Sequence, residues 1–440
     1  MMNLFDKLDM NDVRATWGVK DNTDLSYYGG KFPAFSPAVQ GQETGMNPNS
    51  GIQHYSALHN VFCVHEFTGW QDECLAISKT GYIGDWSWLN KVRIQGPDVI
   101  KCLRQSTING YNKYPIGRGR HVVSVLPNGK LIGDGIAFRE SEDTVLMTGG
   151  TMVAEGLMIR PEGCDVKLTD VTGEIFNYHV QGPVSAQVIE DLCGEKVDDL
   201  AFLTFRDITI AGRTVRLYRG GMSGELGYEL FGDTADGSVI WDAVVKAGAK
   251  YGLRQLGLCS LMLNHLQAYF PTIWVDFIPA IVPGAEALHR TPNDFGWDGL
   301  VDKTRDFPGK DAILAERENP TTKCVTLEWN TDDCIGIYTS LFDTDNEAFE
   351  QMPMPVNTSD FSAAFPQFTP AFNMKGEMIG MVSNRGYSCQ FKKILSLATL
   401  DAAYTEEGTD VMVLYGSEGK RQTMIRARVV RTPYKQDLRK

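Results

Sequence analysis

The chain has 440 residues, 43% of them hydrophobic and 22% charged, and a formal net charge of −13. That length favours two or three domains of ordinary globular composition. The acidic balance, with no lysine-rich block, argues against nucleic acid or an anionic membrane as a partner.

The first residues, MMNLFDKLDMNDVRATWG, hold no apolar core of signal-peptide length. The most apolar long stretch, 261–282, is broken by Asn264, His265, Gln267, Pro271, Asp276 and Pro279, which disfavours a bilayer span. Nine scattered cysteines without a C-x-x-C pair read as reduced thiols, and seven histidines show no metal-ligand spacing. The expectation is a cytoplasmic protein without a metal, monomeric or homodimeric.

Residues 1–60 are polar and aperiodic. KVRI (91–94) alternates as a strand does, and QGPD (95–98) then opens the helical run VIKCLRQ. The same device returns as HVQGP (179–183) followed by SAQVIEDL. Proline in the first turn of a helix costs little there, because that N–H has no partner anyway. Either a weak internal repeat or a common strand-to-helix junction explains the pair.

DWSWL (85–89) reads as a strand with Trp86 and Trp88 on one face. Such a pair lines an aromatic pocket, holds a cation, or is simply core. GRGRHV (117–122) sets Arg118 and Arg120 on one strand face, suited to a carboxylate tail or to a solvated edge. In PNGKLIGDGIAF (127–138), Asn128-Gly129 marks a hairpin turn, and Asp134 stands between two glycines that permit close approach or mark a bulge.

DITIAGRTVRLYRG (207–220) reads as a hairpin turning at Gly212. The stretches 235–253, 285–290 and 306–320 read as helices. Between them, LNHLQAYF (263–270) buries polar side chains that need partners. His265 there is a candidate proton donor or a satisfied core residue. From Lys323 onward short alternating strands dominate, so the chain is α+β followed by a β domain.

GMSGELGYELFGD (221–233) has four glycines, three carboxylates and no basic residue, which is wrong for a phosphate cradle. Glu229 opens a buried strand and needs N–H donors. Arg216 or Arg219 on the preceding strand supplies them, or a flat heterocycle with adjacent ring N–H and exocyclic amino groups does.

Four stretches in this order, VRIQGPDVIKCL, NGKLIGDGIAF, GMSGELGYELFGD and FGWDGLVDKTRDFPGKDAI, resemble the folate-binding family of the glycine-cleavage T-protein (aminomethyltransferase). The resemblance covers residues 60–430 or so, with GELGYE its most specific part. EFTGWQDE, KCVTLEWNTDDCIGIYTSLFDTD and GYSCQFKKILSLATLD are most similar to the tetrahydrofolate-dependent aromatic O-demethylases of the vanillate and syringate type.

The resemblance implies a three-domain cloverleaf around a central tetrahydrofolate channel, with a β-rich third domain. The implied parts are 1–85 with 170–255, 86–169 with 256–318, and 319–440. It implies that Glu229, beside Tyr228, reads the pterin edge and that Asp134 stands near the reactive nitrogen. Arg118 and Arg120 match two basic positions of the demethylases. Asp85, Trp86, Trp88, His59, Tyr55 and Phe270 are the candidates to line the methyl-donor pocket.

The donor half departs from the family. The demethylases' tyrosine falls at Leu261, their substrate arginine at Gly150, and a glutamine and a histidine at Asp85 and Trp88. His265, on the segment that carried the tyrosine, is then the first candidate acid, ahead of His59, His54 and Tyr55. The expected function is transfer of a methyl group from a small methoxylated aromatic to N5 of tetrahydrofolate. A sulfonium or quaternary ammonium donor, aminomethyl transfer, and folate binding without catalysis are the alternatives.

Overall fold

The structure is a computed structural model describing residues 36, 38, 55–58, 61–149, 163–355 and 368–439, the side chains of 55–58 and 61–62 excepted. Three large β systems organise them, beside a two-stranded hairpin of Tyr55–Leu58 and Val61–Val64. A six-stranded sheet runs Phe205–Ile210, Arg213–Arg219, Gly227–Asp233, Ile175–Gln181, Tyr82–Asp85 and Arg254–Leu256, antiparallel except for the last pair. A five-stranded sheet runs Gly119–Val125, Leu131–Arg139, Thr144–Gly149, Lys91–Gln95 and Lys167–Asp170. Six antiparallel strands between Thr322 and Val430 close into a barrel.

Each sheet buries its face by the period-2 rule. In the first, Ile83, Tyr178, Val180, Tyr228 and Leu230 join one core with the helices Ser185–Cys193 and Gly237–Gly248, including Trp241. Closure of the barrel removes the exposed edges that six short strands would otherwise present. Its interior is filled in alternation by Val325, Leu327 and Trp329, by Val411, Val413 and Tyr415, and by Ile425, Ala427 and Val429.

The three systems are fastened together. Phe138 of the second sheet meets Tyr218 and Phe231 of the first edge-on, at 4.8 and 5.2 Å. One central cluster draws Tyr82, Trp86, Leu131, Leu263, Phe277, Cys324 and Leu397 from all three.

Both QGP segments do join a strand to a helix, before Val99–Ser106 and before Ser185–Cys193. The hairpin turns at Ala211-Gly212, both with positive φ, which matches the strand twist. Two local expectations are corrected. The helix expected at 285–290 is a single 3-10 turn, Glu286–Leu288. The strand expected through DWSWL stops at Asp85, because the Asp85 carboxylate accepts from Ser87 N at 2.8 Å and turns the chain.

Candidate folate site

Glu229 lies on the face of the first sheet that looks into the central cluster. Register places it opposite Tyr218 on one side and His179 on the other, with Gln181 and Tyr82 beside them on the same face. It is 7% exposed, and among the described residues its carboxylate accepts no hydrogen bond. His179 Nε2 lies 3.5 Å from it and is itself buried without a hydrogen bond among the described residues. Burial alone pushes the Glu229 carboxyl up to about 8.

The other buried acids make the contrast. Glu73 accepts from the backbone N–H groups of Phe67, Thr68 and Gly257. Asp170 accepts from Thr172, Asp276 from Thr272 and Ser383, Asp294 from Thr291 and Thr322, and Asp302 from Thr304. Glu225 lies 2.5 Å from Lys435 Nζ. Glu229 is the buried carboxylate left without a donor among the described residues, and that is costly unless something else supplies one.

The arginines considered as its partners are engaged elsewhere. Arg216 pairs with Glu140 and covers Phe205, and Arg219 donates to Leu200 O at 2.8 Å. Around Glu229 the face is polar and closed. Trp86 folds back over Gly84 and stacks on His179 at 4.0 Å and 7°. Gln181 Nε2 lies 3.2 Å from His179 Nδ1, and Asn264 Nδ2 donates to the Tyr82 hydroxyl at 3.1 Å. Burial and the Lys91 charge lower the His179 imidazole to about 3, so it is neutral at physiological pH.

Two glycines of the acidic loop make way for a side chain. A Cβ at Gly221, where φ is +148°, would fall 2.0 Å from Gln181 Nε2, and one at Gly227 would fall 2.6 Å from Gln181 Cγ. They make room for the Gln181 side chain. Glu225 of the same loop is 5% exposed and paired.

Asp134 lies on the strand Leu131–Arg139 of the second sheet, with His121 Nε2 at 2.8 Å. The His121 ring meets Trp297 edge-on at 4.9 Å. Arg120 lies over Tyr114 and Tyr111 and donates to Lys113 O. Arg118 bridges to Thr204 through its backbone and adds positive potential at Tyr218.

Several expected site residues sit elsewhere. Tyr228 alternates with Glu229, so its ring faces the helix layer and its hydroxyl donates to Val197 O at 3.3 Å. His265 is fully buried, with Nδ1 2.5 Å from Met262 O and Nε2 3.5 Å from Asp276, whose other oxygen accepts from Ser383 of the barrel. Nδ1 is thus taken by a backbone carbonyl, while Nε2 faces Asp276 without a hydrogen bond among the described residues. Trp88 Nε1 donates to Asp85 O, so it holds the turn, and its ring packs against the central cluster that contains Trp86. Phe270 lies under Arg439 at 5.9 Å.

Asp85 faces the helix side with Ile83. It joins Leu261, Cys63 and Trp241 around a cavity of about 10 Å³, room for about one water. Its Oδ2 is buried without a hydrogen bond, and burial raises its carboxyl. His59, His54 and Gly150, and the Tyr55 side chain, lie outside the described residues. His65, Glu66 and Cys259 approach within 4.8 Å of one another, but Glu66 accepts from Trp70 N and burial pushes the Cys259 thiol up to about 12.

Sequence reading missed His179 and Gln181. Two polar residues at i and i+2 in an apolar strand, just before a QGP turn, were the available signal. A buried carboxylate without donors among the described residues, beside a neutral imidazole, suits a flat heterocycle that presents a double N–H edge.

Residues 51–291 match the GCVT N-terminal domain family. The chain is 31% identical over 407 residues to the sesamin methylene transferase of Sinomonas sp., covering 84% of this chain and 89% of that one. It is 26% identical to the syringate O-demethylase of Sphingobium sp., covering 90% and 92%. The fold is shared with the glycine cleavage system aminomethyltransferase T of Bartonella henselae, at a TM-score of 0.70 and 18% identity over 92% of this chain and 98% of that one. The chain belongs to the GCVT family of tetrahydrofolate-dependent one-carbon transferases. Its residues fit that folate: Glu229 lacks the two donors that a pterin edge carries.

Proposed function

We infer that the protein moves a one-carbon group from a small aryl ether to N5 of tetrahydrofolate. The carrying observation is Glu229, a buried carboxylate without donors, in a chain that matches an O-demethylase and a methylene transferase over most of their lengths. Bound tetrahydrofolate supplies the secondary amine that accepts the carbon. Glu229 fixes the ring by accepting two N–H bonds in parallel, which orients that amine for an in-line displacement. Asp134, backed by His121, takes or holds the proton that the amine loses on acquiring its new bond. Full burial of His265, with Nδ1 held at the Met262 carbonyl, argues against it as the acid for the leaving phenolate.

The two relatives differ in the group they are named for, so the transferred unit is either methyl, from a methoxy ether, or methylene, from a methylenedioxy ether. The test incubates the protein and tetrahydrofolate with neutral methoxyaromatics, methoxybenzoates, methylenedioxyaromatics and sulfonium or quaternary ammonium compounds. Mass spectrometry of the folate distinguishes the 5-methyl from the 5,10-methylene product. Turnover with an onium compound and with no aryl ether would overturn the aryl-ether reading.

A further inference from the structure

The third part of the fold reaches back into the first. After the last barrel strand, residues 434–439 cross the acidic loop. Lys435 N donates to Gln267 O at 2.8 Å, and its Nζ donates to Ser223 O at 3.1 Å and meets Glu225 Oε1 at 2.5 Å. Leu438 N donates to Gly224 O at 2.7 Å and Arg439 Nη1 to Gly221 O at 3.1 Å. The ion pair is shut off from water, with side-chain exposures of 5% and 7%.

The loop in turn sets two side chains of the folate face. Ser223 N–H donates to Gln181 Oε1 at 3.2 Å, which turns the nitrogen end of that amide to His179 Nδ1. Nδ1 is then the acceptor, and a neutral imidazole must carry its proton on Nε2, the atom 3.5 Å from Glu229. A backbone N–H therefore selects the tautomer of the histidine beside the carboxylate, and that backbone is held by the tail.

We propose that the tail 434–439 is a working part of the folate site. Lys435 and Glu225 are positioning residues that hold the loop and, through Ser223 and Gln181, fix the His179 ring against Glu229. The proposal rests on the reading that Glu229 takes the pterin edge. An ion pair this deeply buried seldom stabilises more than an apolar pair of the same shape, which leaves fixing of geometry as its distinctive use.

Removing one member alone would strand a buried charge, so the test uses the double variant Glu225→Leu/Lys435→Met. The probe is 5-formyltetrahydrofolate, titrated by calorimetry from pH 6 to 9. The folded double variant is expected to bind about tenfold more weakly, the loss of roughly one hydrogen bond's net worth. The pH midpoint of its binding is expected to move. Lys435→Arg should retain most of the affinity. Gln181→Met, which breaks the chain one step further in and leaves the tail alone, should shift the same midpoint. A folded double variant with wild-type affinity and midpoint overturns the proposal and leaves Glu229 in place, as does an unshifted Gln181→Met. Wild-type binding by Glu229→Gln overturns the reading of the site and the proposal with it.

Discussion

Lowering the pH from 8 to 6 should weaken the binding of a reduced folate by about fiftyfold, through one group. A carboxyl accepts two parallel N–H bonds only when ionised, and burial holds Glu229 at about 8 in the free protein. At pH 6 about 1% of it is ionised, so binding must first remove a proton at a cost of about 2.7 kcal/mol. At pH 9 that cost is close to nil. Affinity should therefore rise with pH and level off above 8.

Isothermal calorimetry in buffers of different ionisation enthalpy measures the affinity and counts the protons. About one proton should leave per folate at pH 6 and almost none at pH 9. Glu229→Gln should erase the slope and weaken binding at pH 9 by roughly 1.5–3 kcal/mol, the worth of hydrogen bonds to a charged group. Stability carries the opposite sign. The free folded protein holds a proton between about 4.5 and 8 that the unfolded chain has lost. Its stability should fall by about 1.4 kcal/mol per pH unit as pH rises through that window, and Glu229→Gln should flatten the fall. A wild-type affinity that stays level from pH 6 to 9, or a Glu229→Gln variant that keeps the slope, refutes the reasoning.

Two further outcomes test the rest of the site. Gly221→Ala places a Cβ 2.0 Å from Gln181 Nε2 at a φ of +148°, so it should cost about 2 kcal/mol or more in thermal unfolding and weaken folate binding with it. His121→Asn removes the ring 2.8 Å from Asp134, so it should lower kcat and displace the pH–rate profile while the calorimetric folate affinity stays near wild type; loss of affinity instead would assign His121 to binding.

Local signals carried well from the sequence. Asn128-Gly129 and Ala211-Gly212 turned where their backbone preferences require, and the period-2 runs after Lys323 became barrel strands. GELGYE singled out Glu229, but its chemistry was undecided because the answer lay in register. Glu229 stands opposite His179, fifty positions earlier, and Gln181 stands opposite Tyr82, some hundred earlier still. No local pattern specifies such pairings. Only the folded contacts show that Arg216 and Arg219 are engaged elsewhere.

The strand expected through DWSWL stopped short for a different reason. The Asp85 carboxylate captures Ser87 N and ends a strand that Trp86 and Trp88 would otherwise have continued. One side-chain hydrogen bond thus sends Trp86 over His179 and Trp88 back to the Asp85 carbonyl. Lys435 carried no signal either: a single lysine near a basic end reads as solvent-facing, and only the return of the tail to the loop buries it. The pattern of misses has one physical source. Propensity acts over a few residues, whereas this chamber is assembled from four strands, one turn and a tail that meet only in the folded chain. Burial sets the protonation of Glu229, and His179 and Gln181 help to enclose it, so substitutions there should move the pH midpoint of folate binding.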